Sequence, residues 1–272
     1  MTRSIAFIGG GNMASAIIGG LRKNDPSTPI LVVEPYAEAR AKLQRDFQIS
    51  ASASADSTLA DAGLVVWAVK PQSFEEAAGP VRAHARQALH LSVAAGIRSD
   101  SIAGWLDTEQ VIRCMPNTPA LIGKGITGLY ARPAVSASQR DWAQNVIATT
   151  GATVWLEQED QLDAVTALSG SGPAYVFFFI EAMTAAGVEM GLSASQAQQL
   201  AIATFVGAGE LAAASDEPPE VLRQRVTSKG GTTFAAISSM EASGIKGLFM
   251  TALHAARTRA QELGAPTPAA PR

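Results

Sequence analysis

Cysteine is almost absent from this chain of 272 residues, in which Cys114 is the single example. One cysteine cannot form an internal disulfide, and no Cys/His spacing typical of a metal site is present. A lone thiol is typical of proteins kept in a reducing compartment. The sequence therefore predicts a fold that depends on a hydrophobic core, with neither a structural metal nor a disulfide.

An excess of positive charge and long apolar runs are also absent. The formal net charge is −3 and the sequence pI is about 5.7, which argues against a nucleic-acid partner. The uncharged segment over residues 164–180 contains Thr, Ser, Gly and Pro and is too interrupted to favour a membrane span. The first apolar strand begins at Ile5, which leaves no room for a signal peptide. We expect a cytoplasmic protein that binds neither nucleic acid nor membrane.

Histidine is scarce, with only His84, His90 and His254, and none of the three lies in a motif. We expect each of them at the surface or hydrogen-bonded within the core. No Ser-His-Asp order is present that would support a hydrolase.

A glycine turn follows the first apolar strand and opens a helix. Gly9, Gly11 and Ala14 fit the dinucleotide pattern G-x-G-x-x-G/A. In that pattern the glycines permit a tight turn and a close approach of a pyrophosphate, and the small third residue lets the helix pack on the strand. The residues that we expect around the cofactor here are Ile8, Gly9, Gly10, Gly11, Asn12, Met13 and Ala14. A glycine turn alone is a weak signal, because such turns are common after strands.

Glu34 ends the second apolar segment, twenty residues after Ala14. An acid at this position can accept hydrogen bonds from the ribose hydroxyls of the adenosine, and its charge would repel a 2′-phosphate. The nearest cationic side chain that follows is Arg40. These residues favour NADH, although a solvated glutamate at a strand end is the alternative.

Apolar strands alternate with helical periods over the first 157 residues, which predicts a parallel, doubly wound sheet. The predicted strands span residues 5–8, 30–33, 64–69, 89–94, 111–114, 126–131 and 152–156. The predicted helices span residues 13–23, 37–47, about 71–88, 101–106 and 138–149, and residues 50–57 are predicted as a polar connection.

From residue 161 onward the pattern is helical. Pro173 suits a first helical turn, Ser193 suits an N-cap, and Gly244 and Gly264 suit helix ends. We therefore expect an N-terminal Rossmann-like domain over residues 1–157 and an all-helical domain over residues 158–272. The final residues, 265–272, include three prolines and are expected to fray.

The predicted helix over residues 175–190 is apolar nearly all round, with Glu181 and Glu189 as its only charges. Such a helix must be buried on every side, and a domain of this size supplies few neighbours. We expect a second subunit to cover it. The alternative is a central core helix within one subunit.

Two further loops begin where strands of the predicted sheet end, the edge at which such sheets bind ligands. Ala68, Val69, Lys70 and Pro71 form the first, which is either a wall beside the nicotinamide ribose or a plain strand end. The second, residues 115–120, contains two prolines and Asn117, whose amide could serve cofactor or substrate. A rigid turn is the alternative for this loop.

A second glycine-containing loop precedes the helix that is predicted over residues 232–242. Gly230 and Gly231 are flanked there by Thr227, Ser228 and the following threonines. Backbone N–H groups in such a loop form an anion-binding nest, and the helix dipole adds to the attraction. The loop could therefore hold the carboxylate of a small acid, with an ordinary helix cap as the alternative.

Lysine is missing between Lys124 and Lys229. Dehydrogenases of this two-domain plan that oxidise β-hydroxy acids use a lysine from the helical domain, since alcohol oxidation needs a general base. The chemistry here should need little acid–base help. Hydride addition to an already protonated imine meets that demand.

Six stretches resemble, in order, the pyrroline-5-carboxylate reductase family. They are residues 7–14, 68–71, 92–96, 115–121, 169–175 and 228–233. The resemblance implies an N-terminal Rossmann domain and a C-terminal helical domain that intertwines in a homodimer, with a decamer of five dimers in some members. It also implies reduction of 1-pyrroline-5-carboxylate to L-proline by a nicotinamide cofactor and no metal.

The same resemblance assigns residues to the substrate and the nicotinamide. Ser228, Gly230, Gly231 and Thr232 would bind the substrate carboxylate, and Thr233 would hydrogen-bond the ring nitrogen as the catalytic residue. The nicotinamide half of the cofactor would be lined by Ala68, Val69, Lys70, Pro71, Ala94, Ala95 and Gly96, and Asn117 is expected to bind the cofactor.

Two positions depart from the family pattern. Lys229 replaces the usual proline, and Glu34 replaces the small or polar residue that many members use beside the phosphate of NADPH. The resemblance therefore implies NADPH, whereas Glu34 favours NADH. Two other functions remain open: a β-hydroxy acid dehydrogenase, disfavoured by the missing lysine, and a dinucleotide sensor, disfavoured by the second anion site.

Overall fold

The computed structural model describes residues 4–264. The strands are β1 (Ser4–Ile8), β2 (Ile30–Val33), β3 (Ala51–Ser52), β4 (Ala62–Trp67), β5 (Leu89–Ser92), β6 (Val111–Met115), β7 (Gly125–Ala131) and β8 (Gly151–Trp155). The α-helices are α1 (Asn12–Asn24), α2 (Ala37–Phe47), α3 (Phe74–Ala85), α4 (Ser99–Leu106), α5 (Ala137–Ala148), α6 (Gln161–Val165), α7 (Gly172–Glu189), α8 (Ala194–Ala213), α9 (Pro219–Arg225), α10 (Thr232–Ala242) and α11 (Ile245–Gly264). The tail predicted to fray, residues 265–272, lies outside the described residues.

The strands form one sheet in the order β3-β2-β1-β4-β5-β6-β7-β8. The chain runs outward from β1 to β3 and then returns to place β4 on the other side of β1, where the two strands pair in parallel. This reversal is the topological switch point, and ligands of open α/β sheets bind there at the carboxyl ends of the strands. The predicted doubly wound fold is confirmed.

The prediction of a wholly parallel sheet is wrong at one place. β7 runs antiparallel to β6, with Met115 opposite Gly128, while β8 is parallel to β7. Only a short 3₁₀ turn, Thr118–Ile122, lies between β6 and β7. A parallel return needs a crossover of a dozen residues or more, so this short connection reverses the chain.

Apolar side chains cover both faces of the sheet. Ile5 and Phe7 of β1 point into one core layer, and Ala6 and Ile8 into the other. Because both faces are buried, residues 5–8 of this strand are all apolar instead of alternating. The same two layers hold α1 and α3 against opposite faces of the sheet.

Several element bounds differ from the sequence prediction. The two-residue strand β3 lies inside residues 50–57, which were predicted as a connection, because it pairs with the end of β2. β4 and β5 end before Val69 and Ala94, which lie in loops. The bounds predicted for the helices Ala37–Phe47 and Thr232–Ala242 are confirmed, as is the N-cap at Ser193, which forms a capping box with Gln196.

The described chain divides into two compact units. One contains the residues up to Gly170 together with those from Ala256, and the other is Ser171–Ala255. The second unit is helical throughout its regular elements.

Helix α7, in the second unit, leaves most of its apolar side chains uncovered by this chain. Phe178 is 66% exposed and Met190, at its C-cap, 78%, and Gly187 is the one buried residue of the helix. The alternative of a central core helix within one subunit is therefore wrong. The helical stretch Gln161–Glu189 is long and apolar enough to cross a membrane by length and composition, but one such stretch is weak evidence for a span.

Candidate active site

The glycine turn lies at the switch point, between the ends of β1 and β4. Gly9 has φ +94°, and a Cβ placed on it would lie 2.6 Å from the carbonyl oxygen of Ala68. Hydrogen bonds join the end of β1 to both neighbouring strands. The Gly9 N–H donates to the carbonyl oxygen of Val33 in β2 (2.8 Å), and the Ala68 N–H, just after β4, donates to the carbonyl oxygen of Ile8 (2.8 Å). Glycine is thus needed at residue 9 for its left-handed conformation and for the close approach of the β4 loop.

Helix α1 opens toward free space. Its N-cap is Gly11, with no side-chain cap hydrogen bond and no acidic residue in the first turn. A Cβ on Gly11 would meet no protein atom within 4 Å, while Ala14 is fully buried against the sheet. The first N–H groups of α1 are therefore accessible to an anion, which fits a dinucleotide pyrophosphate.

Glu34 is buried, at 6% exposure, although it stands at the end of β2. Its Oε2 accepts a hydrogen bond from the Gly10 N–H at 2.7 Å, and its Oε1 accepts one from the Tyr36 N–H at 2.8 Å. The alternative of a solvated strand-end glutamate is therefore wrong. The carboxylate instead joins the glycine turn to the loop after β2.

The loops after β4 and β5 follow adjacent parallel strands and begin at the same edge of the sheet as the glycine turn. Lys70 is exposed and precedes a 3₁₀ turn that starts at Pro71. In the next loop the Ala94 N–H donates to Ser92 Oγ at 3.2 Å. Gly96 has φ +76°, and a Cβ on it would lie 3.3 Å from Leu263, so this loop packs on the end of α11.

Asn117 uses both ends of its amide within the chain. Its Nδ2 donates to the carbonyl oxygen of Ser169 at 3.2 Å, and its Oδ1 accepts from the Ile126 N–H at 3.0 Å. Ser169 belongs to a π-helical turn, Thr166–Gly170. Asn117 thus braces the loop after β6, which agrees with the rigid-turn alternative and leaves one N–H of the amide for a ligand.

The loop Ser228–Thr233 lies in the second unit, before α10. The Gly231 N–H donates to the Ser228 carbonyl at 3.0 Å, and Gly230 has φ +78°. A left-handed third residue is the requirement of a type II turn, in which proline is common at the second position. Lys229 occupies that second position and keeps the turn. Gly231 is the N-cap of α10 with no side-chain cap, so the first N–H groups of α10 are accessible to an anion.

A buried histidine of β5, His90, connects Trp67 to a backbone carbonyl through hydrogen bonds. Trp67 Nε1 donates to His90 Nδ1 at 3.1 Å, and His90 Nε2 lies 3.1 Å from the Ala85 carbonyl oxygen. This pairing requires the neutral imidazole with its proton on Nε2, and burial lowers the pKa of His90 to about 4. His90 therefore serves packing, as expected from the sequence.

The structure brings together the glycine turn, Glu34 and the loops at residues 68–71 and 94–96, all in the first unit. The Ser228–Thr233 loop belongs to the second unit. Sequence reasoning missed the inward role of Glu34 and the bracing role of Asn117. No local pattern signals these roles, because the Glu34–Gly10 and Asn117–Ser169 hydrogen bonds join residues that are 24 and 52 positions apart in the sequence.

Metal chemistry finds no support in the described residues. Within residues 4–264, no group of three or more His, Cys, Asp or Glu side chains is arranged to hold a metal ion. Cys114 is buried, and burial raises the pKa of its thiol, which makes it a poor nucleophile.

Two family models match the chain. One, described as pyrroline-5-carboxylate reductase dimerisation, matches residues 159–263, and one described as NADP oxidoreductase, coenzyme F420-dependent, matches residues 4–96. The second of these covers the glycine turn, Glu34 and the loops after β4 and β5.

Full-length relatives carry the same family name. A pyrroline-5-carboxylate reductase of Pseudomonas aeruginosa is 46% identical over 96% of this chain and 97% of its own, and one of Haemophilus influenzae is 39% identical over 95% and 97%. The solved structure of a Coxiella burnetii pyrroline-5-carboxylate reductase matches with a TM-score of 0.92 at 34% identity, over 98% and 100% of the two chains. That of a Plasmodium falciparum pyrroline carboxylate reductase with NADP bound matches with a TM-score of 0.84 at 25% identity, over 97% and 98%. The chain belongs to the pyrroline-5-carboxylate reductase family.

Proposed function

We propose that this protein reduces 1-pyrroline-5-carboxylate to L-proline, the last step of proline biosynthesis, with hydride from a nicotinamide dinucleotide. The observation that carries the proposal is the full-length similarity to pyrroline-5-carboxylate reductases, at 46% identity to that of P. aeruginosa. A cytoplasmic location is part of the same proposal, and the free, buried thiol of Cys114 is compatible with it.

The cofactor would be held in the first unit. Its pyrophosphate would lie on the N–H groups at the start of α1, beside Gly11. The loops containing Ala68 and Gly96 would line the nicotinamide half. A 3₁₀ turn that starts at Pro71 follows the first loop, and Leu263 lies against Gly96 in the second. When bound, the dihydronicotinamide supplies the hydride.

The substrate carboxylate would be captured in the second unit by the loop Ser228–Thr233. Backbone N–H groups at the start of α10 and the Ser228 hydroxyl are the proposed donors, and the uncapped N-terminus of α10 supports this role. The Thr233 hydroxyl would hydrogen-bond the ring nitrogen and hold the C=N bond in one orientation.

The reaction needs little proton transfer from the protein. In the protonated imine, the carbon of the C=N bond is already electrophilic, so it accepts the hydride and its electron pair while the C=N π pair moves onto nitrogen. The imine is reduced to the amine and NAD(P)H is oxidised to NAD(P)⁺. The contribution of the chain is then mainly positioning, which agrees with the absence of lysine between Lys124 and Lys229.

The proposal covers two reductants. The family resemblance favours NADPH, and the P. falciparum structure contains NADP, whereas the charge of Glu34 favours NADH. The absorbance of NADH and NADPH, which falls when pyrroline-5-carboxylate is reduced by them and rises when β-hydroxy acids are oxidised by NAD⁺ or NADP⁺, tests substrate and cofactor together. Oxidation of neither cofactor in the presence of the imine would defeat the proposal, and activity with a hydroxy acid alone would identify a dehydrogenase.

We also propose a homodimer formed through the helical unit, and a decamer of five dimers as a further assembly. The exposed apolar face of α7 supports the dimer, and so does the match to a dimerisation model over residues 159–263. Sedimentation at micromolar concentration tests it, since a folded monomer would contradict the dimer.

A further inference from the structure

We propose that Glu34 makes this protein select NADH over NADPH, and that it does so as a fixed part of the glycine turn. The inference rests on the proposed function only in that a nicotinamide dinucleotide occupies the switch point. Selectivity would then depend on two properties of Glu34: its charge, and the backbone hydrogen bonds that fix the carboxylate before any ligand binds.

The Glu34 carboxylate is held in place by the backbone around it. Both of its oxygens accept backbone N–H groups, from Gly10 at 2.7 Å and from Tyr36 at 2.8 Å, and the residue is 6% exposed. Hydrogen bonds from backbone N–H groups to a carboxylate are of the strong, charge-assisted kind. Displacing the side chain would leave two N–H donors without partners beneath the cofactor.

The packing around Gly10 holds the same geometry. A Cβ on Gly10 would lie 2.7 Å from Leu43 Cδ1 and 3.3 Å from Glu34 Oε2. The turn therefore sits directly on the carboxylate and on the side chain of α2 behind it. This close packing leaves no slack for the carboxylate to retreat from the space beside the turn.

Within residues 4–264, the negative charge of Glu34 is not offset by an ion pair. None of the ion pairs among the described residues includes Glu34. The closest candidate, Arg40, donates instead to the backbone carbonyls of Glu34 at 2.8 Å and Pro35 at 2.7 Å. The guanidinium thus braces the loop and forms no ion pair with the Glu34 carboxylate.

A fixed, charged carboxylate at this position should favour the binding of NADH and oppose the binding of NADPH. A 2′-hydroxyl can donate to a carboxylate lone pair that Gly10 and Tyr36 leave unused, because an ionised carboxylate has about four acceptor sites. A 2′-phosphate brings about two negative charges next to a carboxylate that cannot move. NADPH would therefore bind either against the repulsion between its 2′-phosphate and the Glu34 carboxylate, or with the loss of the hydrogen bonds from Gly10 and Tyr36.

Calorimetric titration of the full-length protein with NADH and with NADPH, in the absence of substrate, tests the inference independently of activity. The wild type is expected to bind NADH at least about tenfold more tightly than NADPH. Glu34→Gln removes the charge at equal size and should shift the ratio of the two affinities toward NADPH by about tenfold or more. Glu34→Asp keeps the charge but shortens the reach to Gly10, so it should weaken both cofactors and leave their ratio within about threefold of the wild type.

The matched control is Glu38→Gln, because Glu38 is an exposed acid in the first turn of α2. This variant should change the affinity for neither NADH nor NADPH. Equal or tighter binding of NADPH by the wild type would overturn the inference, as would an unchanged ratio in Glu34→Gln or failure to bind either cofactor. If Glu34→Gln does not fold, the wild-type ratio and the Glu34→Asp variant still decide. Selective NADH binding without reduction of pyrroline-5-carboxylate would leave this inference standing and defeat the proposed function instead.

Discussion

At the scale of single residues, the polar side chains of this protein differ sharply in their surroundings. Thr233 is exposed at the start of α10, whereas His90 is fully buried. Changes at the first should affect the reaction and leave the fold, and changes at the second should do the reverse.

Thr233→Ala should lower kcat for pyrroline-5-carboxylate by about 10- to 100-fold, the worth of a hydrogen bond to a charged or strongly polarised group. Steady-state kinetics with a thermal unfolding curve for each variant measures this. Thr233→Ser keeps the hydroxyl and should retain most of the activity. Unchanged turnover in Thr233→Ala would remove Thr233 from the mechanism.

His90 should make the protein less stable in mild acid. Its pKa is about 4 in the folded protein against 6.5 in the ordinary reference state, so the unfolded state binds a proton first as the pH falls. The free energy of unfolding should be constant above pH 6.5 and fall between pH 6.5 and 4, by up to about 3 kcal/mol.

Urea unfolding at a series of pH values checks the His90 prediction. His90→Gln removes the titrating group and should flatten the pH dependence in that window relative to the wild type, at a lower overall stability. The exposed His84, changed to Gln, is the control and should leave the pH dependence as it is. A wild-type curve that matches His90→Gln in slope would contradict the assignment.

At the scale of elements, the strand–turn–helix unit from β1 to α1 assigns different tasks to neighbouring glycines. Gly9 has a left-handed backbone and touches the β4 loop, while Gly11 faces open space. Substitution by alanine can therefore separate the folding role of the turn from its binding role.

Gly9→Ala should lower the free energy of unfolding by about 2 kcal/mol or more, because the added methyl group strains the backbone and meets Ala68. Gly11→Ala should leave stability within about 0.5 kcal/mol but weaken cofactor binding at least about tenfold, because its methyl group enters the space assigned to the pyrophosphate. Chemical denaturation and calorimetric titration of both variants measure the two effects. Comparable stability losses in the two variants would contradict this division of roles.

At the scale of the whole molecule, the helical unit is incomplete as a single chain. Large apolar side chains are exposed on its helices, including Phe177, Phe178, Met190, Leu200, Val206, Leu211 and Leu248. Large apolar side chains exposed in such number are typical of an interface. A second copy of the chain is the proposed cover, in keeping with the dimerisation model that matches this region.

Phe178→Lys places a charge on that surface and should raise the dissociation constant of the dimer at least about 100-fold. Sedimentation velocity over a range of concentrations measures the shift, and Phe178→Leu is the matched control that should remain dimeric. Co-flotation with lipid vesicles tests the other use of an apolar helix. Binding of the wild type to vesicles in place of dimer formation would contradict the proposed assembly.

Local pattern was enough for much of this architecture. Alternating apolar strands and helical periods predicted the doubly wound sheet, because burial on both faces leaves a continuous apolar signature in each strand. The bounds of Ala37–Phe47 and Thr232–Ala242 also followed from local periodicity and from the glycine that precedes the second helix. The direction of β7 did not, since reversal after β6 depends on how a short connection closes in space.

The sequence by itself determined the doubly wound fold class, and it predicted the kind of site: a glycine turn for a dinucleotide, a second glycine loop for an anion, and an acid at residue 34. What only the tertiary structure decided was where the polar side chains point. Glu34 turns inward to hold Gly10 and Tyr36, and Asn117 joins Ser169 to Ile126. The physical reason is that a buried backbone N–H or carbonyl must find a partner, and that partner is chosen by proximity in the fold, which no local pattern records.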